Sequence, residues 1–316
     1  MPGRTKATGR GRGGRGQGGG HWWKALLIMV LIAGLLIAAG IFVLSKFTRL
    51  SIFNPAGCTA STSGGQQVGL ALSQTQDAST IAAVGRRLGV PVYGIEIAEA
   101  TAMQESKLEN IGYGDRDSLG LFQQRPSQGW GTAAQIMDPV YSSTKFYQAL
   151  LNVSGWQNLS LAQAAQAVQR SADGDLYAEH QADATVLATV FTGAAGAGLT
   201  CTLDGPTFAP QTPGTDGLTA QANAYSAAFK YQLGTLTVQN ISSAGSAFDV
   251  SVPGDATAAG WSFANWSVAQ AEGLGVISVT YDGKTWSAAQ GSSGWQPVAG
   301  GAADPSQVQI EMTTNS

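Results

Sequence analysis

Between residues 73 and 201, apolar side chains return every three or four positions. That spacing predicts helices over Thr80–Leu88, Val92–Leu108, Ser142–Leu151, Leu161–Arg170 and Ala178–Phe191. The breaks between them hold Gly, Pro, Asn or Asp, which helix ends favour. The segment LDGPTFAPQTPGTDG, with Pro206, Pro210 and Pro213, then reads as a stiffened linker over 202–217. Beyond it the period changes. Leu236–Val238 and Phe248–Val252 have the look of short strands, Ala258–Glu272 of a helix, VISVTYDGKTWSA of a hairpin turning at Asp282-Gly283, and Gln307–Met312 of a last strand. The expected fold class is therefore α+β: a mainly helical domain at 73–201, the linker, and a small α+β domain at 218–316. No internal repeat points to a solenoid.

The longest apolar stretch lies elsewhere. Ala25–Leu44 carries no charge over twenty residues, about the length that crosses a ~30 Å hydrocarbon core, so one transmembrane helix is expected there. Trp22 and Trp23 stand at its front edge, and Arg4, Lys6, Arg10, Arg12, Arg15 and Lys24 precede it without an acid. These six outweigh Lys46 and Arg49 on the other side, which places the 1–24 tail in the cytoplasm and everything after the helix outside the cell. Residues 45–72 are expected to be a connecting segment. A cleaved signal peptide is the alternative, but the run is long for one, no small-x-small site follows directly, and PAGC at Pro55–Cys58 lacks the aliphatic residue of a lipobox.

Composition sharpens this picture. The chain has 316 residues, enough for about two domains; charged residues make up 12% and net charge is -3, which argues against nucleic acid as the main partner. The glycine- and arginine-rich tail cannot build a core and reads as a disordered topology signal that touches anionic lipid, with RNA or DNA binding as its alternative. The two cysteines, Cys58 and Cys201, bracket the helical domain on the outer side, where thiols oxidise. Paired, they close a loop of 201 - 58 = 143 residues, a constraint of roughly 4 to 5 kcal/mol in the chain-entropy picture; two free thiols are the alternative. No cofactor is expected.

Glu105 carries the candidate chemistry. With about 100° per residue, Ala98, Thr101, Ala102, Glu105 and Leu108 share one stripe, so Glu105 is expected on a small, apolar face and Glu96 and Glu99 on the solvated side. A carboxyl held against apolar neighbours loses solvation of its charged form and keeps its proton toward neutral pH, which suits a general acid. The plain alternative is a solvated helix glutamate.

The surroundings of Glu105 favour the first reading. Glu105-Ser106, Gly114-Asp115-Arg116 and Gly120-Leu121-Phe122-Gln123 together resemble the catalytic region of the lysozyme-like superfamily, specifically lytic transglycosylases and goose-type lysozymes. The resemblance runs over about Ser73–Gly193. Phe122 stands where methionine is usual, and Tyr113-Gly114-Asp115-Arg116 falls on the goose-type W-G-D-R turn. What it implies is a muramidase acting on the bond between N-acetylmuramic acid and N-acetylglucosamine in peptidoglycan, with Glu105 protonating the glycosidic oxygen. Transglycosylation needs no second carboxylate, whereas an inverting hydrolase needs one to position water. Asp115 matches the goose-type aspartate, although Asp beside Gly is also common turn chemistry. The second goose-type aspartate falls on Arg125, which leans the expectation toward transglycosylation. Asp117 is expected to cap a helix beginning near Ser118. Ser106, Tyr113, Gln123 and Gln124 are expected near the sugar, Gln123 being open to a structural role, and Gln169 lies roughly where transglycosylases carry the tyrosine of A-Y-N-A-G. His180, a lone histidine on a helix, is read as surface or packing.

NISSAGSAFD, Asn240–Asp249, resembles the S-x-H-x-x-G-x-A-x-D signature of the Hedgehog and D-Ala-D-Ala peptidase fold through Gly245, Ala247 and Asp249. Ser242 replaces its histidine, and Gln307 and Gln309 stand where the H-x-H strand would ligate zinc. A catalytic zinc takes about three His, Cys or carboxylate ligands; the domain has no histidine or cysteine, so no metal is expected. A degenerate, non-catalytic relative that binds wall peptide or a partner follows, with Trp261, Trp266, Trp286 and Trp295 as contacts or, alternatively, as core. The resemblances together imply an actinobacterial, single-pass cell-membrane protein that opens peptidoglycan locally. Its expected partners are peptidoglycan, the membrane and a secretion or conjugation apparatus.

Overall fold

The computed structural model describes residues 56–170, 174–205, 209, 211–254, 257–298 and 304–313. The tail and the apolar run at 25–44 lie outside these residues. No helix among the described residues is long and apolar enough to cross a membrane. Pro55–Ser316 cluster as one compact unit.

Two short strands open this unit, β1 (Gly57–Ser61) and β2 (Gln67–Leu70). Helices α1 (Leu72–Arg87), α2 (Val92–Ser106), α3 (Ala133–Ile136), α4 (Pro139–Leu151), α5 (Leu161–Gln169) and α6 (Gln181–Phe191) follow. Strand β3 (Leu199–Thr202) returns to β1, giving an antiparallel sheet of order β2-β1-β3. Cys58 stands opposite Cys201 in that register, and the two form a disulfide with a sequence separation of 143. The segment expected to be mere connection at 45–72 thus supplies two strands, and the disulfide clips the helical region at both its ends.

The remaining elements are α7 (Ala220–Leu233), β4 (Val238–Gln239), β5 (Ala247–Ser251), α8 (Thr257–Ala269), α9 (Ala271–Leu274), β6 (Val276–Tyr281), β7 (Lys284–Ser287), β8 (Gln296–Pro297) and β9 (Gln307–Met312). The strands form one antiparallel sheet of order β4-β5-β9-β6-β7-β8. β9 shows why it pairs centrally: Val308, Ile310 and Met312 point into the core while Gln309 and Glu311 alternate outward. The hairpin turns at Asp282 and Gly283, both left-handed with φ 47° and 71°, as a two-residue connection demands.

Helix α8 binds the two regions. Every residue from Gly260 to Ala269 is buried, the mark of a helix packed all round rather than along one stripe. One side meets β6 and β9; the other meets α1, α6 and β3. Trp266 is buried among Tyr225 and Phe229 at 5.4 and 5.3 Å between ring centroids, and Trp261 and Trp286 are buried as well. The half-buried Trp295 donates to the Leu199 carbonyl at 2.7 Å. These tryptophans fill core and interface.

Polar bonds fix the register across this seam. Asn265 Nδ2 donates to the carbonyls of Val190 and Gly196, both at 2.9 Å. These carbonyls lie at and beyond the end of α6, where helix geometry leaves acceptors open. Gly193, with φ 85°, brings the chain so close to α8 that a Cβ there would lie 1.8 Å from the Ala258 carbonyl oxygen. Gln270 Nε2 donates to Ser79 Oγ at 2.9 Å, and Trp266 Nε1 to Gln232 Oε1 at 2.7 Å. Asn265→Ala removes both bonds, leaving the Val190 and Gly196 carbonyls only their backbone donors Gly193 N and Gly198 N, and is expected to lower stability by about 1–3 kcal/mol, read from the denaturant midpoint at unchanged m-value. Calorimetry of the wild-type protein should show the helical and sheet regions unfolding in one transition.

Candidate active site

Helix α2 is the axis of the helical region. It starts behind Pro91, packs against α1, α4, α5 and α6, and has Ala98, Ala100 and Ala102 fully buried. Its small side chains let neighbouring helices approach on almost every side. That corrects the expectation of a solvated side: Glu99 is completely buried and Glu96 is half-buried, while Glu105 at the helix end is half-buried rather than enclosed.

The helix stops abruptly. Lys107 and Leu108 both adopt left-handed backbone, each with φ 59°, a conformation that costs a non-glycine residue on the order of 1–2 kcal/mol. Their N–H groups return to the carbonyls of Met103 and Ala102 at 3.0 and 3.1 Å, and the Leu108 side chain is buried. Arg116, Gln123 and Arg170 are also left-handed, with φ of 57°, 46° and 53°. Strain of this kind concentrates where surroundings hold a chain for function, and these three residues line one groove.

That groove has a volume of about 880 Å³, within the usual range for a small-molecule site. Glu105, Asp115, Gln123, Gln124 and Gln169 all line it, as do Trp130 and Arg170. Tyr177 OH donates to Glu105 Oε1 at 2.6 Å, and His180 Nε2 meets Gln104 Oε1 at 2.9 Å. The 3-10 segment Asp175–His180 thus braces two consecutive residues at the end of α2.

The G-L-F-Q residues do not begin a helix. Leu119 and Gln124 exchange backbone bonds at 2.9 and 3.0 Å around a tight turn, which sends Leu121 and Phe122 into the core and leaves Gln123 half-exposed. Phe122 stacks on Phe146 at 4.6 Å. Gln123 Nε2 lies 3.2 Å from the Gly120 carbonyl and 3.3 Å from that of Tyr113. Gln169 Nε2 donates to the Phe122 carbonyl at 2.7 Å, and Gln124, almost wholly buried, donates to the Ser142 carbonyl at 3.1 Å.

Ser106 lies behind the groove, its hydroxyl 2.8 Å from the Leu121 carbonyl and 3.0 Å from that of Ala102. It ties the end of α2 to the turn. Tyr113 is 74% exposed and stands outside the lining.

With no helix at Ser118, Asp117 has different work from capping one. Its carboxylate accepts from Arg125 Nε at 2.7 Å, Ser127 N at 2.8 Å and Ser127 Oγ at 2.9 Å. Arg125 foremost, then Ser127, holds the Asp117 carboxyl well below the usual carboxylate range. Asp115 is 92% exposed in its side chain and has a loose contact with Arg116 at 3.8 Å.

In the sheet, Asp249 stands opposite Gln309, and Asn240 Nδ2 donates to Asp249 Oδ2 at 2.6 Å while lying 3.3 Å from Gln307 Oε1. Ser242 Oγ accepts from Ala247 N at 3.1 Å. Among the described residues no group of three His, Cys, Asp or Glu could hold a metal ion.

Tyr177, Trp130 and Arg170 were not legible as site residues. Tyr177 sits in a 3-10 segment eight residues past Gln169, where no helical period reveals a face. The Gly129-Trp130-Gly131 triplet was the one available signal for Trp130. A methyl group at Gly120, where φ is 74°, would lie 2.8 Å from the Ile136 carbonyl oxygen. Gly120→Ala is expected to lower stability by roughly 1–3 kcal/mol and to displace Gln123, seen as a lower unfolding midpoint and altered amide shifts around the turn.

Comparison with protein families matches residues 212–308 to the family described as VldE, C-terminal domain. The match spans the sheet region from ahead of α7 into β9 and leaves the groove outside it. No curated protein matches the chain.

Proposed function

We propose that this protein is a membrane-anchored muramidase, a lytic transglycosylase that cuts the N-acetylmuramic acid to N-acetylglucosamine bond of peptidoglycan with Glu105 as acid and then base. The observation that carries the reading is Glu105 itself: a half-buried carboxyl at a polar groove, with Oε1 held by Tyr177 and Oε2 without a protein partner among the described residues. Glu105 gives its proton to the glycosidic oxygen as the bond from the sugar C1 to that oxygen breaks. The carboxylate then takes the proton of the same sugar's 6-hydroxyl as O6 bonds to C1. The product is a 1,6-anhydro end; Glu105 regains its proton and no water is consumed.

The groove's other charged residues favour this route over hydrolysis. An inverting hydrolase needs a second carboxylate roughly 6.5–9.5 Å from the first to hold water. Asp115 lines the groove but is held only loosely, and Arg125 is spent on Asp117. The polar lining suits a glycan, with Trp130 as a face on which a sugar ring can stack.

The sheet region is read as a metal-free relative of the Hedgehog and D-Ala-D-Ala peptidase fold that works as a brace. Of the signature positions, Asp249 and Gln307 accept from the Asn240 amide and Ser242 accepts from Ala247 N. In this reading the 25–44 run anchors the protein in the cell membrane with its tail in the cytoplasm and the groove outside, where local wall opening serves growth or a secretion or conjugation apparatus.

Digestion of purified actinobacterial peptidoglycan by the full-length protein, with muropeptides identified by mass, should release anhydro ends. Reducing ends would bring Asp115 forward as a water-positioning base, and no release from several walls would leave a non-enzymatic wall-binding scaffold. Glu105→Gln should keep the fold and lower turnover by about 10² or more. Tyr177→Phe removes a charge-assisted bond worth roughly 1.5–3 kcal/mol and should slow turnover by about tenfold or more.

A further inference from the structure

Glu99 lies on the same helix as Glu105 and takes no part in the groove. Its residue is fully buried, and neither carboxylate oxygen has a hydrogen-bond partner. An isolated carboxylate in such a place costs several kcal/mol, and nothing around it offers compensation. Asp77 of α1 and the Tyr147 phenol of α4 act on it electrostatically; Tyr147 OH donates to the Ile81 carbonyl at 3.0 Å. Asp77 in turn feels the charge of Glu109.

The cations on the surrounding helices are turned elsewhere. Arg86 of α1 bonds Ser262 and lies over the Phe263 ring, Arg87 donates to the Gln232 carbonyl, and Lys145 of α4 lies over Tyr141. Arg170 at the end of α5 lines the groove. Asp175 and Glu179 of the 3-10 segment and Asp183 of α6 are exposed, and His180 is engaged with Gln104. On α2 itself, Glu96 is half-buried and Glu105 bonds Tyr177.

We propose that Glu99 and Asp77 are a proton-holding carboxyl pair that positions the end of α2 and the loop leading to Asp115, acting through backbone rather than on substrate. The connection is short. Gln74 Nε2 of α1 donates to the Lys107 carbonyl at 2.8 Å; Asn110 Nδ2 donates to the Met137 carbonyl at 2.8 Å, and the Ile111 carbonyl accepts from Gly120 N at 2.8 Å. Ser73 Oγ donates to Glu109 Oε1 at 3.3 Å from the same side. A charge forced onto Glu99 would push α2 away from α1 about two turns before this loop begins.

Burial first, and the mutual repulsion of acids second, pushes the Asp77 carboxyl up to about 7 and the Glu99 carboxyl well above its ordinary range. Both groups therefore keep protons in the folded protein that the unfolded chain releases above about pH 4. Their contribution to stability is complete below that value. It is lost as pH rises, through about 7 for Asp77 and beyond for Glu99, at up to about tenfold in the folding constant per pH unit for each retained proton.

The test uses the full-length protein, Glu99→Gln and Asp77→Asn. Infrared spectra of the native protein at pH 8 should show a protonated carboxyl band that Glu99→Gln removes. The unfolding constant of the wild type should climb between pH 5 and 8 by more than that of Glu99→Gln, by up to about tenfold per unit, and Asp77→Asn should flatten the climb below pH 7. Absence of the native band at pH 8, or a Glu99→Gln slope equal to wild type, overturns the proposal. If Glu99→Gln does not fold, the native band and its persistence in Asp77→Asn decide. The positioning role rests on the muramidase reading and has its own readout: the alkaline fall in kcat should be shallower in Glu99→Gln with KM unchanged, and a matching fall overturns it. A protein inactive at every pH that still shows the band and the slopes would refute the muramidase reading and leave the proton-holding pair intact.

Discussion

Helix α2 can pack against four other helices because alanines occupy so much of its surface, and that close packing dictates what its glutamates experience. Only where the helix stops does a carboxyl reach a groove. The stop is made by two left-handed residues, Lys107 and Leu108, whose N–H groups close the last carbonyls while Leu108 fills the core. Glu105 owes its half-buried position to that ending, two residues before the turn. Glu99, one and two-thirds turns earlier, is enclosed by the same packing that Glu105 escapes.

The sheet region reaches this site indirectly, through α1 and α6. Both pack against α8, and α1 also carries Asp77 while α6 packs along α2. Asn265 and the close approach at Gly193 make the seam specific as well as apolar. The Cys58–Cys201 disulfide holds the start and end of the helical region together across β1 and β3, and β3 touches the sheet region through Thr200 and the Gly291 carbonyl at 2.6 Å. A rigid frame of this sort keeps a groove in shape at the cost of little movement.

Much of the fold was legible because periodicity survives where one face is buried. Most of the long helices, the hairpin at Asp282-Gly283 and the last strand emerged within a few residues of their ends, while α1 begins at Leu72, eight residues before the expected Thr80. The three strands around the disulfide did not: GCTAS, QVGL and LTCT are only four or five residues long and built largely from small residues, too short for their alternation to stand out. Helix α7, whose polar and apolar residues are poorly segregated, followed the proline-rich segment unnoticed. The same weakness misplaced Glu99, since a single stripe assumes a single buried face. At the site, local motifs located Glu105, Asp115, Gln123 and Gln169, while Tyr177 required a long-range contact that spacing along the chain does not reveal.

The groove is the centre of the account, and its claim is that a peptidoglycan glycan lies in it with the bond to be cut at Glu105. A crystal structure of the Glu105→Gln protein with a tetrasaccharide of alternating N-acetylglucosamine and N-acetylmuramic acid tests that directly. The account predicts sugar density along the groove, one ring on Trp130, and the scissile oxygen within hydrogen-bond distance of the side chain at position 105. Sugar bound elsewhere on the protein, or a groove left empty at saturating ligand, would contradict it.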